Sequence, residues 1–249
     1  MLVNDLIMAV KDEARGQYVS DARLGLGYTG VSLSGGGCGL AATIPHEGSC
    51  SVIDSAGTLP GMPAGDIIEW AGSNKRAEVA VGIGAINALL SYRSYDFLSG
   101  DPFDHIEIKK TDTAALIGFI PPVFKELRNK AGKLYLFERR DLGNIPELVP
   151  EEKMKEILPG CDIVIFTGST CVNETVDNIL EMSPSARARI MIGPSTPLCP
   201  EVMGKYGIHL LCGVVIIDCN KILEIISQGG GTRHIGPYIK KISLGARPF

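Results

Sequence analysis

The stretch DIVIFTGSTCVNETVDNILEM, residues 162–182, decides the fold. DIVIFTG is a short run of apolar and β-branched side chains without polar alternation. A strand buried on both faces reads this way. STCVNETVDNILEM then reads as one helix opened by Ser169 or Thr170 as its cap. A fully buried strand followed by an amphipathic helix is the repeating unit of a parallel sheet covered on both faces.

The alternation continues in both directions. Upstream, AALIGFI reads as a strand. PPVFKELRNKAG reads as a helix with proline at its start and glycine at its end. KLYLFERR is a further strand and PEEKMKEILPG a further helix. Downstream, ARIMIG and HLLCGVVIID supply strands around CPEVMGKYG. The expectation is a Rossmann-like α/β domain over residues 109–249.

Residues 1–108 have a different grammar. NDLIMAVKDEAR is an amphipathic helix with Leu6, Ile7 and Val10 on one face. ARLGLGYTGVSLS and GLAATIP look like two strands joined through the glycine-rich SGGGCG at 34–39. RAEVAVGIGAINALLSY reads as a buried helix, with Val79, Ile83, Ile86 and Leu90 at helical spacing. Asn87 is the one polar side chain in its apolar middle. This half is expected to be an α+β domain, and the boundary near DHIEIKKTD rests on the change of grammar.

Composition narrows the function. The chain has 249 residues, 45% hydrophobic and 21% charged, with a formal net charge of −4. No segment has the roughly 18 uninterrupted apolar residues of a membrane span. No basic run favours nucleic acid, and the pairs Lys109–Lys110 and Lys240–Lys241 read as solvated. The N-terminal stretch lacks the basic flank and cleavage site of a signal peptide. A cytoplasmic location and seven reduced cysteines are therefore expected.

In an open parallel sheet, ligands sit beyond the carboxyl ends of the strands. The residues there are Pro121 and Pro122, Glu138 and Arg139, TGSTCVN at 167–173, GPSTP at 193–197, and Asp218. TGST offers N–H groups and hydroxyls to a carboxylate or phosphate at a helix N-terminus. Equally, Ser169, Thr170 and Asn173 serve as caps. Glu138 stands where such sheets hold a ribose hydroxyl, or else in a surface ion pair. The first turn, GFIPP, is not a GxGxxG cradle, which argues against NAD; a nucleoside or S-adenosylmethionine stays open.

Neither CxxC, HxxxH nor HExxH spacing occurs, so no protein metal site is expected. His46 and Cys50 in HEGSC are the nearest pair. Cys161, Cys212 and Cys219 read as core residues. Cys171, at a helix N-terminus, reads as a reactive thiol or as a structural one like Cys199. Cys38 in SGGGCG, and GGGT with Arg233 and His234, read either as loops closing on a ligand or as plain turns.

GLGYTGVSLS, AINALL, LIGFIPP, FTGSTCVNETVDNIL, IGPSTPLCPEV and GVVIID together resemble a family of prokaryotic proteins described as "putative heavy-metal chelation". The likeness covers nearly the whole chain. It implies an N-terminal domain like that of enolase, followed by a Rossmann-like domain, with the site in the cleft between them. It implies metal chelation, or the making or processing of a small chelating molecule of pterin, flavin or siderophore type. The residues it carries over are Tyr28, Thr29, Asn87, Thr167, Gly168, Ser169, Thr170, Asn173, Gly193, Pro194, Ser195 and Thr196. GPSTP becomes a rigid wall of that cleft, which lowers the ordering cost of ligand capture.

The leading expectation is an enzyme that condenses or hydrolyses such a molecule, with Glu138, Asn87 and Tyr28 orienting substrate and moving protons. The alternatives are a non-catalytic binder of a metal–chelate complex and an S-adenosylmethionine-dependent methyltransferase. Any metal is expected to arrive inside an organic chelator. A symmetric homodimer is the expected assembly.

Overall fold

The computed structural model describes residues 1–44 and 52–248. Helix α1 (Leu2–Ala9) buries Leu2, Val3, Leu6 and Ile7. Strands β1 (Val19–Leu24), β2 (Tyr28–Leu33) and β3 (Cys38–Ala42) form an antiparallel sheet in that order. Helices α2 (Ala64–Glu69) and α3 (Arg76–Leu90) follow, and α3 lies against β2 and β3. Nearly every side of α3 is buried, as an all-apolar helix requires.

Two boundaries differ from the sequence reading. ARLGLGYTGVSLS is two strands, because the Gly25 N–H donates to the Tyr28 carbonyl at 2.9 Å and closes a reversal. The first helix stops at Ala9, whose carbonyl accepts from Arg93 Nη2 at 2.7 Å.

The second half contains β4 (Thr113–Ile117), α4 (Pro121–Lys130), β5 (Lys133–Phe137), α5 (Met154–Ile157), β6 (Ile163–Thr167), α6 (Val176–Met182), β7 (Ala188–Ile192) and α7 (Pro200–Met203). It ends with β8 (Leu210–Ile216), α8 (Cys219–Ser227), α9 (Thr232–Ile235) and β9 (Ile239–Gly245). The strand order is β5-β4-β6-β7-β8-β9. All pairs are parallel except β8–β9. The chain runs from β4 outward to β5 and then returns past β4 to β6. The topological switch point therefore lies between β4 and β6. This is the doubly wound α/β architecture expected, with one further antiparallel strand. The Lys240–Lys241 pair, both exposed, breaks the alternation that would have marked β9 in the sequence.

TGST does not begin an α-helix. Residues Gly168–Cys171 form a single 3-10 turn, and α6 starts only at Val176. Asn173 Oδ1 accepts from the Thr175 N–H at 3.2 Å and its hydroxyl at 2.6 Å, and Glu174 takes φ +62°. That left-handed residue interrupts the helix read from the sequence. One apolar cluster then runs from Leu2 and Leu6 through Val31 and Ile86 to Phe166, Met203 and Leu244, so the two sheets share a core.

Candidate functional site

A cavity of about 260 Å³ lies between β3 and α3 on one side and the β7–β8 edge on the other. Its apolar walls include Leu40, Leu90, Leu198 and Val214. Its polar wall is built around Asn87, on the last turns of α3. Asn87 Nδ2 donates to the Leu40 carbonyl at 2.7 Å and to the Ser195 carbonyl at 3.3 Å. Two carbonyl partners fix the amide's orientation, since only the NH₂ end can serve both. Asn87 Oδ1 is left buried without a partner. Thr196, 3% exposed, likewise has a buried Oγ1 without a partner.

Buried polar groups are nearly always satisfied, and an orphan costs about 1–3 kcal/mol. Here both residues that carry the orphans line one cavity, with the two oxygens themselves buried just behind its surface. Tyr95 lines it as well. Its hydroxyl stands beside the Arg93 guanidinium without a well-formed hydrogen bond. Burial pushes this phenol up to about 12, against the pull of Arg93. Arg93 is held in turn by Glu13 at 2.5 Å and by Glu201.

The residues expected from the sequence divide into groups. Asn87, Pro194 and Thr196 line the cavity, and Ser195 contributes its carbonyl to Asn87. Gly193 holds the turn through its N–H to the Cys212 carbonyl at 2.8 Å. Gly168 backs this wall: a Cβ there would lie 2.5 Å from the Thr196 nitrogen, so only glycine permits the approach. The Thr167 and Ser169 hydroxyls bond each other, and Thr170 Oγ1 donates to the Thr167 carbonyl at 2.8 Å. Asn173 caps Thr175. The hydrogen bonds of Thr167, Ser169, Thr170 and Asn173 thus stay within residues 167–175, and Gly168 is the member of this group that meets the wall.

Tyr28 and Thr29 are not among the lining residues. Tyr28 hydrogen-bonds Thr232 at 2.8 Å, which ties the GGGT loop to β2. Thr29, fully buried, bonds Thr43 at 2.9 Å.

Glu138 also stands outside this lining. Its carboxylate accepts from the Phe119 N–H at 2.8 Å, the Arg140 N–H at 3.0 Å and Arg140 Nη2 at 2.7 Å. Burial by itself would raise its pKa, but the Arg140 guanidinium and the two N–H groups outweigh that and hold it at about 2. Such a group is a poor proton acceptor near neutrality. It is well suited to fix the turn after β4 at the switch point.

An unfolded glutamate titrates at about 4.3. The folded value lies below it, so the carboxylate's contribution to stability is complete above that pH and lost as pH falls toward 2. Glu138→Gln is expected to cost about 1–2 kcal/mol at pH 7, discounted because Arg140 is exposed, and far less near pH 2.5. Urea unfolding at both pH values checks this, and an equal loss at both would refute it.

The cysteines depart from expectation. Cys38 and Cys219 are not free thiols: β3 and the start of α8 bring them into a disulfide, Cα–Cα 6.0 Å. Cys171 is fully buried, and burial pushes its thiol up to about 12, so it is not activated. Cys199 is buried and raised in the same way. His46 and Cys50 lie outside the described residues.

Among the described residues, no three His, Cys, Asp or Glu side chains gather as a metal site. The cavity presents neutral oxygens and an arginine already paired with carboxylates. That donor set does not fit a bare heavy-metal ion. Arg93 and Tyr95 carry no sequence signal: they lie just after the apolar helix, and their segment, SYRSYDF, has no motif spacing.

Family models described as "Putative heavy-metal chelation" match residues 101–244 (DUF364) and 7–90 (DUF4213). The uncharacterized protein MJ0500 of Methanocaldococcus jannaschii is 27% identical over 161 residues, which cover 64% of this chain and 62% of that protein. The chain thus spans less than two thirds of that relative's length. A crystal structure of a DUF364-family protein of unknown function from Pyrococcus horikoshii is similar, with TM-score 0.83 and 26% identity, covering 98% of this chain and 100% of that one. A second, from Desulfitobacterium hafniense, shares the fold, with TM-score 0.80 and 22% identity over 97% and 98% of the two chains.

Proposed function

The chain belongs to the family described as "Putative heavy-metal chelation", and from that premise we propose that it binds a small organic chelating molecule in the cavity between the two sheets. Any metal enters within that molecule. Residues 1–108 and 109–249 act as two domains that face each other across it. The observation that carries this reading is that Asn87 and Thr196, each with a buried oxygen lacking a partner, both line this one cavity. A modest shift of the wall on binding would bring a ligand N–H or O–H to Asn87 Oδ1 and a second polar atom to Thr196 Oγ1, and would satisfy both.

This reading takes the site as one for binding rather than for condensation or hydrolysis. Acid–base chemistry needs a group that titrates near the working pH. Tyr95 is held at about 12, and Arg93 is ion-paired with two carboxylates.

Native mass spectrometry with elemental analysis tests the proposal on the full chain purified without added metal. A retained organic mass, about one per chain, is expected, with any metal signal travelling with it. Thr196→Val keeps the shape and removes the hydroxyl. It is expected to weaken retention about tenfold, equivalent to about 1.4 kcal/mol, and to leave the empty protein as stable or slightly more so. Equal retention by Thr196→Val would place the ligand elsewhere. An empty protein that also gains no thermal stability from catecholate, hydroxamate or pterin probes would reject the binding reading.

A further inference from the structure

We propose that the Cys38–Cys219 bond is a thiol-responsive latch that holds the two walls of the cavity together. Cys38 opens β3 and lines the cavity beside Gly39 and Leu40. Cys219 opens α8, directly after β8, whose Val214, Val215 and Ile216 line the facing wall. The bond spans 181 positions in sequence and joins the three-stranded sheet to the helix that follows the six-stranded one. The bond joins the two walls whichever ligand the cavity takes.

Accessibility sets the direction of attack. Cys38 is 7% exposed, whereas Cys219 is half-buried at the surface end of α8. A glutathione thiolate reaches the Cys219 sulfur, forms a mixed disulfide there and expels the Cys38 thiolate, which takes a proton. A second thiolate attacks the glutathione sulfur, releases oxidised glutathione and leaves Cys219 as a thiol after protonation. Oxidised glutathione runs the same exchange in reverse. Cys161, Cys171, Cys199 and Cys212 are buried, so they do not compete.

The fold survives opening of the latch because other contacts bridge the same elements. Leu40 packs with Ile222, Ile226 and Ile235, Tyr28 bonds Thr232, and Arg23 Nη1 donates to Ser227 at 3.0 Å. What changes is local order. With the bond closed, the cavity walls are pre-organised; with it open, β3 and α8 are joined only by these non-covalent contacts and fluctuate more.

The full chain is equilibrated at a series of reduced-to-oxidised glutathione ratios, quenched with N-ethylmaleimide, and examined by peptide mapping and hydrogen exchange. At the oxidising end, a linked peptide containing Cys38 and Cys219 is expected. At the reducing end, both are alkylated, and amides of 38–42 and 219–227 exchange about tenfold faster while those of β4 and β6 change little. Cys219→Ser exchanges fast in both buffers. Unchanged exchange in 38–42 and 219–227 after proven reduction would overturn the latch. So would the absence of the linked peptide at every ratio.

Discussion

Gly39→Ala is expected to destabilise the protein by about 3 kcal/mol or more, the upper end of overpacking costs. Gly39 lies in β3, where the strand crosses α3. A Cβ there would stand 2.1 Å from the Gly84 carbonyl oxygen and 2.3 Å from the Ala88 nitrogen. Both atoms belong to helix backbone, so no side chain can rotate away. The strand must lift from the helix, and Cys38 and Leu40, both on the cavity wall, move with it. At about 2–4 °C per kcal/mol for a chain of this size, the Tm falls by about 6–12 °C. Gly65→Ala is the matched control. It sits in α2 with nothing within 4 Å of the new methyl, so helix propensity makes it neutral or stabilising. Differential scanning calorimetry of the two variants checks this. A Gly39→Ala protein that melts with the wild type would show that β3 and α3 do not pack as described.

Arg93→Met is expected to cost about 2 kcal/mol and to alter the cavity's electrostatics. Arg93 binds the Ala9 carbonyl, Glu13 and Glu201, and so ties the end of α1 to α7 across the chain. Removing one member of a buried ion pair costs about 3–5 kcal/mol. Here Glu13 is 35% and Glu201 51% exposed, so solvent recovers part of that loss. A second consequence separates this from simple destabilisation. Arg93 opposes the burial that raises the Tyr95 phenol to about 12, so its loss drives that phenol higher still. Urea unfolding gives the first quantity and ultraviolet titration of the tyrosines the second. A Tyr95 transition that stays in place or falls in Arg93→Met would contradict the contact.

In the second half of the fold, the parallel strands are the readable part. Five apolar strands stand near their expected places because each is a short run dominated by buried apolar side chains, even with Lys133 and Tyr135 on the edge strand β5 and Arg189 in β7. β9 escaped notice because Lys240 and Lys241 both face solvent and mask its pattern. The first helix and the TGST segment were drawn too long for a different reason. Their ends are set by Arg93 on the Ala9 carbonyl and by Asn173 on Thr175, and neither partner can be located from local propensity.

The same division runs through the site. That Asn87 interrupts an apolar helix, and that GPSTP ends a buried strand, is visible in the amino-acid order and marks both as candidates. What Asn87 does depends on Leu40 and Ser195, 47 and 108 positions away. Only after both carbonyls have taken its NH₂ group is its oxygen left facing unmatched surroundings. Glu138 likewise stands where the sheet topology places it, but Arg140 and two N–H groups make it a fixed anion rather than a base.

Hydrophobic period and turn chemistry are local properties, so the layers, the parallel sheet and the edge at which polar residues gather are legible along the chain. Which of those residues line a cavity and which bond one another emerges only once the chain is folded, and it is the fold that brings distant thiols within reach. It alone paired Cys38 with Cys219 across 181 positions. The physical reason is that hydrogen-bond satisfaction, burial and thiol pairing depend on distance in space, which the spacing of residues along the chain does not encode.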